Sequence, residues 1–307
     1  MKLGATFVDE TFAEAFGMSY SRLVVTADDE YWLEAGVREV TGYASSVIGC
    51  DAEAGLERRL SPDATPDGRP GAAILIFGFS QKALAKAVPQ RTGQCLMTCP
   101  STAVFDGLPS AEQRLALGKH LRFFGDGYQK SKLVDGKRFW RVPVMDGEFL
   151  VQEDVGMAPG IGGGNIILQT ATRPAGLAAA RRAVAAVWAS EGVITPFPGG
   201  VARSGSKVGS RYPGLSASTA DPFCPTLRGR VESKLHPEAN CAYEVVIDGC
   251  SEQSVGAAMA AAMRAAAAAD VLAISAGNYG GKLGKFHFPL RELLGQRDAP
   301  ALPPSTA

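Results

Sequence analysis

The sequence predicts an α+β fold made of two similar lobes, each a ferredoxin-like split β-α-β sandwich with helices on one face of an antiparallel sheet. Two observations predict it. Four times along the chain, a short β-branched run is followed by a polar cap and a helical pattern of apolar residues. A further β-rich run follows each helix, so each half of the chain reads β-α-β-β-α-β.

The first two strand–helix units lie in the first half of the chain. Residues 22–26 (RLVVT) predict a strand, and Asp28 offers a cap for the helix that follows. Residues 72–77 (AAILIF) predict a second strand, and Ser80 offers the cap of the next helix. The β-rich runs expected after these two helices are residues 46–49 and 94–98.

The second half repeats this order. Residues 165–170 (NIILQT) predict a strand that leads to a helix with Pro174 in its first turn. Residues 243–247 predict the next strand, which leads past Ser251 into another helix. The long connection 196–240 is dominated by Gly, Pro, Ser and Thr, and loops of this length in a compact domain are usually functional. The β-rich runs expected here are residues 192–197 and 271–275.

A chain of 307 residues is long enough for two domains. We expect an N-terminal lobe at residues 1–145 and a C-terminal lobe at 146–297 that carries the long Gly/Pro-rich insertion. The Pro/Ala-rich tail at 298–307 is expected to be disordered.

The composition excludes several classes of partner. The chain has 31 basic and 31 acidic residues and a formal net charge of zero, so no nucleic-acid partner is expected. No window approaches the length of unbroken apolar sequence that a membrane span needs, and residues 1–11 lack a signal-peptide core. We therefore expect no membrane contact and a cytoplasmic protein.

The cysteines and histidines predict no metal site. Cys95 and Cys99 do not have the Cys-x-x-Cys spacing of zinc knuckles, and only three histidines are available to complete a site. Reduced and mostly packed thiols are expected instead. No Ser-His-Asp or Cys-His arrangement is indicated, so a covalent acyl-enzyme intermediate is not expected.

Residues 160–165 (GIGGGN) contain the densest glycine run in the chain. Their glycines precede a predicted strand rather than join a strand to a helix, so the dinucleotide-binding fingerprint is not met. Lys207 follows the sequence SGS and lacks the glycine spacing of a phosphate-binding loop. We expect residues 160–165 to form a turn between strands.

One carboxylate, Glu244, lies inside the otherwise apolar strand pattern at 241–249 (CAYEVVIDG). A lone acid among Tyr, Val and Ile is costly to bury in its charged form, so a raised pKa, a paired cation or a ligand contact is expected. An ion pair with Arg or Lys across the sheet is the alternative to a functional site. Strand alternation places Glu244, Val246 and Asp248 on one face.

Three glycine-rich segments elsewhere allow a backbone to approach a flat ligand closely. They are FFGDGYQ at 123–129, PFPGGVARSGSKVGS at 196–210 and SAGNYGGKLG at 275–284. Together with TFAEAF at 11–16, TPDGRPG at 65–71 and the strand of Glu244, they closely resemble the formylmethanofuran:tetrahydromethanopterin formyltransferase family. The resemblance runs in the same order from about Leu3 to Leu293.

The resemblance implies the same two-lobed fold and an enzyme of one-carbon metabolism (formaldehyde oxidation). It would transfer a formyl group reversibly between N5 of a tetrahydromethanopterin-type pterin and the amine of methanofuran. The transfer would be a direct attack without a covalent enzyme intermediate. No permanently bound cofactor is implied, since methanofuran and tetrahydromethanopterin act as cosubstrates. In the family the glutamate of this Tyr-Glu motif lies at the active site, so Glu244 is the expected catalytic residue and would carry protons.

The resemblance also implies residues that hold the two cosubstrates. Both are anionic, so cations in the turns and the glycine loop are candidates, and aromatic rings are candidates for stacking on furan or pterin rings. A solvated cation or a packed ring is the simpler alternative for each of them. Backbone N–H groups of residues 277–281, or the Ser206 and Asn278 side chains, would bind the oxyanion. The candidate cofactor-binding residues are Arg69, Phe124, Asp126, Tyr128, Gln129, Ser206, Lys207, Arg211, Asn278 and Tyr279.

The resemblance implies protein partners as well. The family forms dimers and tetramers, and its methylotrophic bacterial members belong to a formyltransferase/hydrolase complex. We expect a bacterial, methylotroph-type homotetramer that docks formylmethanofuran hydrolase subunits. The alternative function is a non-catalytic assembly platform for those subunits. That alternative predicts lost site residues, whereas every motif is present in this chain.

Overall fold

The structure is a computed structural model that describes residues 1–295, so the predicted tail at 298–307 lies outside the described residues. The described residues form the following strands: β1 Lys2–Leu3, β2 Thr6–Val8, β3 Phe12–Thr26, β4 Glu53–Leu60, β5 Gly71–Gly78, β6 Ala103–Asp106, β7 Gln113–Ala116, β8 Lys130–Val134, β9 Lys137–Val144, β10 Gly147–Gln152, β11 Asp154–Thr170, β12 Val193–Ile194, β13 Lys207–Val208, β14 Ala217–Ser218, β15 Cys241–Gly249, β16 Ala273–Ser275 and β17 Phe286–Pro289. The helices are α1 Glu30–Thr41, α2 Gln81–Arg91, α3 Gly118–Leu121, α4 Arg173–Trp188, α5 Glu252–Ala266 and α6 Leu290–Gly295.

Both halves of the chain have the predicted β-α-β-β-α-β order. In the first half, β3, β4, β5 and β6 pair antiparallel in the spatial order β6-β3-β5-β4. In the second half, β11, β12, β15 and β16 pair antiparallel in the equivalent order β16-β11-β15-β12. This is the strand order of a split β-α-β sandwich. The predicted fold class, two similar ferredoxin-like lobes, is confirmed.

Two long strands join the lobes into one sheet. β3 has 15 residues and β11 has 17, and the two pair antiparallel from Ala158↔Tyr20 to Gly162↔Phe16. Each strand therefore pairs with strands of its own lobe at one end and with the other long strand in the middle. Apolar residues of the two helices and the sheet form a separate core in each lobe, around Leu33 and Ile74 in the first and around Val184 and Val245 in the second.

The predicted helix cap at Ser80 is confirmed, since its hydroxyl group accepts from the N–H of Ala83. Ser251, which precedes the last predicted helix, is also a cap, and its hydroxyl group accepts from the N–H of Ser254. The prediction of Asp28 as the first cap is wrong by one residue. The helix begins at Glu30, and the side chain of Asp29 accepts from the N–H of Trp32 at 3.0 Å. Asp28 instead binds the guanidinium of Arg69.

Two of the predicted β-rich runs are wrong. Residues 46–49 form a turn before β4, and residues 94–98 lie mostly in a π-helical turn, Thr92–Leu96, that continues from α2. This turn buries Leu96 against α1, where a Cβ on Gly36 would lie 3.3 Å from the Leu96 side chain. Packing between helices has overridden the local β propensity. Both runs predicted in the second half contain strands, β12 and β16.

The glycine run at 160–165 is not the expected turn, because it lies inside β11. Small residues are needed there: a Cβ on Gly162 would lie 2.2 Å from Met18 Sδ, and one on Gly164 would lie 2.4 Å from Val255 Cγ1. Gly163 has φ +91°, which only glycine adopts without strain, and it marks the β-bulge where the β11–β15 register shifts. The glycines therefore allow close packing around a bent strand.

The predicted division of the chain at residues 145 and 146 stays a prediction. Near this position, β10 pairs antiparallel with β9 and parallel with β6. Within residues 1–295, no helix has both the length and the apolar character needed to cross a membrane.

Candidate active site

A cavity of about 520 Å³ lies where the two lobes meet. Its walls are mainly apolar, with a small number of polar and charged side chains among them. Concave sites of this kind are typical of binding sites for small organic molecules. The first half contributes Phe16, Ser46, Val47, Ile48, Glu53 and Phe79, and the second contributes Asn165, Phe197, Ser206, Lys207, Phe223, Glu244, Asn278 and Tyr279, among others.

Glu244 lies on β15 in the wall of this cavity, and its side chain is buried, with 4% of the residue exposed. One carboxylate oxygen accepts from the backbone N–H of Ser206 at 2.6 Å, and the other accepts from the Ser206 hydroxyl at 2.7 Å. Burial raises the pKa of Glu244 to about 6, although the two bonds from Ser206 act in the opposite direction. Among the described residues no Arg or Lys forms an ion pair with Glu244, so the predicted alternative of a cross-sheet ion pair does not hold.

Tyr279 stabilises the turn that holds Glu244. Its hydroxyl group accepts from the backbone N–H of Val208 at 2.7 Å and donates to the carbonyl of Ser206 at 3.3 Å. Burial raises the pKa of the Tyr279 hydroxyl, so it stays neutral and able to donate. Ser206, Tyr279 and Glu244, three predicted site residues, are therefore in one hydrogen-bonded group.

Asn165 was missed by the sequence analysis. It is buried on β11, and its Oδ1 accepts from the N–H of Gly277 at 2.6 Å. Its Nδ2 donates to the carbonyls of Gly163 and Gly277, both at 3.2 Å. A Cβ on Gly277 would lie 3.7 Å from Glu244 Oε1, so Asn165 fixes backbone next to the carboxylate. The sequence did offer one indication of Asn165: its polar side chain follows a run of glycines and precedes an apolar strand pattern.

Most of the predicted oxyanion donors are already committed. The N–H of Tyr279 and that of Gly281 donate to Glu14, and the N–H of Gly280 donates to Asn278 Oδ1. The Asn278 amide donates to the Thr11 hydroxyl and the Phe12 carbonyl, and the Ser206 hydroxyl donates to Glu244. Within residues 1–295, the backbone N–H of Asn278 has no acceptor, so it is the remaining candidate of this segment.

Lys207 lines the cavity but is not a free cation. Its Nζ forms an ion pair with Asp221, and this contact with Lys207 lowers the pKa of the Asp221 carboxyl. Lys234 also lines the cavity, whereas Arg211 belongs to the same glycine-rich connection without lining it. A role for Lys207 and Arg211 in holding an anionic molecule stays a prediction.

The candidates from the first half lie outside this cavity. Arg69 donates to Asp28, Asp67 and the carbonyl of Ser101, so its guanidinium is used within a turn. Within 123–129, Phe124 and Tyr128 have 66% and 78% of their surface exposed, Asp126 adopts φ +50°, and the Gln129 side chain accepts from the N–H of Gly127. Their roles in binding stay predictions that this cavity does not explain.

Two further carboxyl groups are buried near Glu244: Glu53, which lines the cavity, and Asp248 on β15. Burial, together with the neighbouring Glu53, raises the pKa of Asp248 well above its usual range. Glu53 accepts from the N–H of Val47, and Asp248 accepts from the N–H of Gly163, both at 2.9 Å. Burial likewise raises the pKa of Glu53, so both carboxyl groups are shifted toward the neutral form. The sequence predicted that Asp248 lies on the same face of its strand as Glu244, but it did not predict Glu53 as a neighbour of Asp248.

Taken together, an apolar cavity and a buried carboxyl group with its pKa raised to about 6 are typical of an enzyme that acts on an organic molecule. Among residues 1–295, no group of three or more His, Cys, Asp or Glu side chains is placed to hold a metal ion.

Comparison with known proteins identifies the family. The family model described as formylmethanofuran-tetrahydromethanopterin formyltransferase matches residues 1–144, and the model of its proximal lobe matches residues 147–293. A relative from Methylobacillus flagellatus, named formylmethanofuran--tetrahydromethanopterin formyltransferase, is 50% identical over 96% of this chain and 100% of its own length. The chain belongs to the formylmethanofuran:tetrahydromethanopterin formyltransferase family.

Solved structures agree with this. The formylmethanofuran:tetrahydromethanopterin formyltransferase from Methanosarcina barkeri is 44% identical, with a TM-score of 0.90 over 95% of this chain and 100% of that one. A chain in the crystal structure of the formyltransferase/hydrolase complex from Methylorubrum extorquens, in complex with methylofuran, is 46% identical. It has a TM-score of 0.90, over 94% of this chain and 96% of that one.

Proposed function

We propose that this chain is a formyltransferase that moves a formyl group between N5 of a tetrahydromethanopterin-type pterin and the amine of a methanofuran-type cosubstrate. Family membership over nearly the whole chain supports the reaction. The observation that carries the mechanism is Glu244, a buried carboxyl group with its pKa raised to about 6 in the wall of an apolar cavity. The cosubstrates enter and leave at each turnover, and no resident cofactor is needed for the transfer.

Proton balance explains why a carboxyl group of this pKa suits the reaction. The amine of the acceptor is an ammonium ion at neutral pH and must lose a proton before its lone pair can attack the formyl carbon. As the new C–N bond forms and the bond to N5 breaks, the amine nitrogen loses a second proton and N5 gains one. Glu244 accepts a proton from the amine and returns one to N5, and the other proton goes to water.

Alignment and charge stabilisation complete the mechanism. Holding both cosubstrates in one apolar cavity makes the attack effectively intramolecular, which can supply about 7–11 kcal/mol of barrier reduction in favourable cases. The tetrahedral intermediate carries an oxyanion that needs fixed donors. The backbone N–H of Asn278 is our candidate donor, since its neighbours at 277 and 279–281 already donate to Asn165, Glu14 and Asn278 itself.

The test is the turnover of Glu244→Gln, followed by the loss of formyl-pterin absorbance in the presence of methanofuran. We expect kcat to fall by about 10²–10⁴-fold, the usual contribution of a general acid–base. Glu57→Gln is the matched control, since Glu57 is equally buried but binds Arg22 outside the cavity. A Glu244→Gln protein that keeps near wild-type kcat with an intact assembly contradicts the proposed role.

We further propose that the chain forms a homotetramer and docks formylmethanofuran hydrolase subunits in the cytoplasm. The support is the similarity to a chain of the formyltransferase/hydrolase complex from Methylorubrum extorquens. Light scattering should give the mass of four chains, and a concentration-independent monomer contradicts the assembly. The alternative of a non-catalytic platform is favoured only if the purified chain shows no transfer at all.

A further inference from the structure

Glu14 is another buried carboxylate in the wall of the cavity, in the TFAEAF segment that the proposed mechanism leaves unused. It lies on β3 and is 1% exposed. Its Oε2 accepts from the N–H groups of Tyr279 and Gly281 at 2.7 and 2.8 Å. Its Oε1 accepts from the N–H groups of Leu283 and Gly284, both at 2.6 Å. One side chain therefore binds four amides of a single loop.

Ionisation of Glu14 suits this arrangement. Burial disfavours its charged form, but the four backbone donors outweigh that effect and lower the pKa of Glu14 below its usual value. The carboxylate is thus charged and fully hydrogen-bonded at neutral pH. The loop also lies close against β3, since a Cβ on Gly284 would be 2.4 Å from the Ala15 carbonyl oxygen. Without the carboxylate, four buried or half-buried amides would lose their acceptor.

The loop held by Glu14 leads directly to the catalytic candidate. Tyr279, whose N–H is bound by Glu14, uses its hydroxyl group to hold the N–H of Val208 and the carbonyl of Ser206. Ser206 in turn supplies both of the donors that bind the Glu244 carboxylate. A series of contacts thus connects Glu14 on β3, through Tyr279 and Ser206, to the Glu244 carboxylate on β15.

We propose that Glu14 is a positioning residue for formyl transfer, which fixes Tyr279 so that its hydroxyl group holds Ser206 against Glu244. Only the expected effect on kcat rests on the proposed function. The contacts of Glu14 and their effect on the Glu244 carboxylate do not depend on substrate. Glu14 is not a catalytic residue here, since all four of its contacts are to the loop backbone.

The effect of losing Glu14 has a definite sign. The two donors of Ser206 favour the charged form of Glu244, so weakening them raises the pKa of Glu244. The charge of Glu14 is not among the causes that set the pKa of Glu244, so the weakened Ser206 donors determine the sign of the change. The other titratable groups around the same cavity are Tyr279, Glu53, Lys234 and Lys207, the last paired with Asp221.

The experiment measures the pKa of Glu244 directly, by pH-difference infrared spectroscopy of the full chain. The carboxyl band is assigned by its disappearance in Glu244→Gln, so the measurement does not depend on turnover. The variants are Glu14→Gln, which removes half of the acceptor capacity, and Tyr279→Phe, which removes only the hydroxyl link. Glu57→Gln is the control for loss of a buried, hydrogen-bonded carboxylate elsewhere.

We expect the pKa of Glu244 to rise by about one pH unit in both Glu14→Gln and Tyr279→Phe, and to stay unchanged in Glu57→Gln. The kcat of both variants should fall at pH 7, by about twofold from the lower ionised fraction of Glu244 alone, with a smaller change in KM. An unchanged or lower pKa in Glu14→Gln overturns the proposal. If that variant does not fold, an unchanged pKa in Tyr279→Phe overturns it and a rise supports it. Full turnover by Glu244→Gln, in contrast, overturns the proton-transfer role of Glu244 and leaves the measured effect of Glu14 on its carboxylate unchanged.

Discussion

Replacement of Glu244 by Gln is expected to stabilise the folded protein at neutral pH while it removes most of the activity. The reason is the cost of burying the charge. Burial raises the pKa of Glu244 from 4.5 to about 6. A group whose folded-state pKa is raised contributes stability that is complete below the unfolded pKa and is lost as the pH rises through the folded one.

The magnitude follows from the difference between the two values. A shift from 4.5 to about 6 is about 1.5 pH units, which corresponds to about 2 kcal/mol. Gln keeps the local geometry, since its oxygen can accept from the Ser206 N–H while its amide donates to the Ser206 hydroxyl oxygen. Relative to wild type, the variant should gain stability progressively between about pH 4 and pH 7, and the gain should reach about 2 kcal/mol above that window.

Urea unfolding of both proteins at several pH values between 4 and 8 measures this difference. The expected result is a pH-dependent gain for Glu244→Gln that accompanies the loss of turnover. A difference in unfolding free energy that does not change with pH contradicts the reasoning, because it would show that the carboxyl group is not desolvated in the folded protein. A wild type that is the more stable protein at pH 8 contradicts it as well.

Two further predictions concern the cavity wall and the glycine run of β11. Lys207→Ala should raise KM for an anionic cosubstrate with less effect on kcat, since it removes ground-state binding. Steady-state kinetics measure this, and an unchanged KM for both cosubstrates would leave Lys207 with only a structural role, the ion pair with Asp221. Gly164→Ala should lower the unfolding free energy by about 1–3 kcal/mol in a denaturation assay, because its Cβ would clash with Val255. Gly17→Ala is the control: its Cβ would lie 3.9 Å from the nearest atom of Phe286, so it should change the unfolding free energy by less than about 0.5 kcal/mol.

The parts of the fold that could be predicted are those with a local cause. Ser80 and Ser251 cap helices because their side chains bind amides three residues on, and such a pattern is readable in the sequence. Residues 94–98 were predicted wrongly because the fate of Leu96 depends on α1, which is distant in the chain. The prediction of a turn at residues 160–165 was wrong for the same reason, since the close contacts of these glycines are to Met18 and Val255, which are distant in the chain.

The candidate site shows the same limit. Glu244 could be predicted, because a lone carboxylate in an apolar strand is unusual in itself. Glu14 and Asn165 could not, because their partners are amides more than one hundred residues away in the chain, in the loop after β16. Neither residue type is diagnostic by itself, and only the fold determines which backbone it meets.

The difference between the two lobes explains why the carboxylate site belongs to the second one. Both lobes have the same strand order, but β4 and β5 are joined by a short connection, whereas β12 and β15 are separated by the long glycine-rich one. That connection returns to β15 through the bridge between Ala202 and Glu244, and four residues later Ser206 binds the carboxylate. Residues of the first half supply part of the cavity wall. Glu14 also binds the N–H of Tyr279, whose hydroxyl group holds the turn at Ser206 in place. Glu14 belongs to the first half by sequence, but its neighbours Ala13 and Ala15 pack in the core of the second lobe, and this end of β3 pairs with β17. The first half therefore contributes to the carboxylate site by inserting the end of β3 into the second lobe.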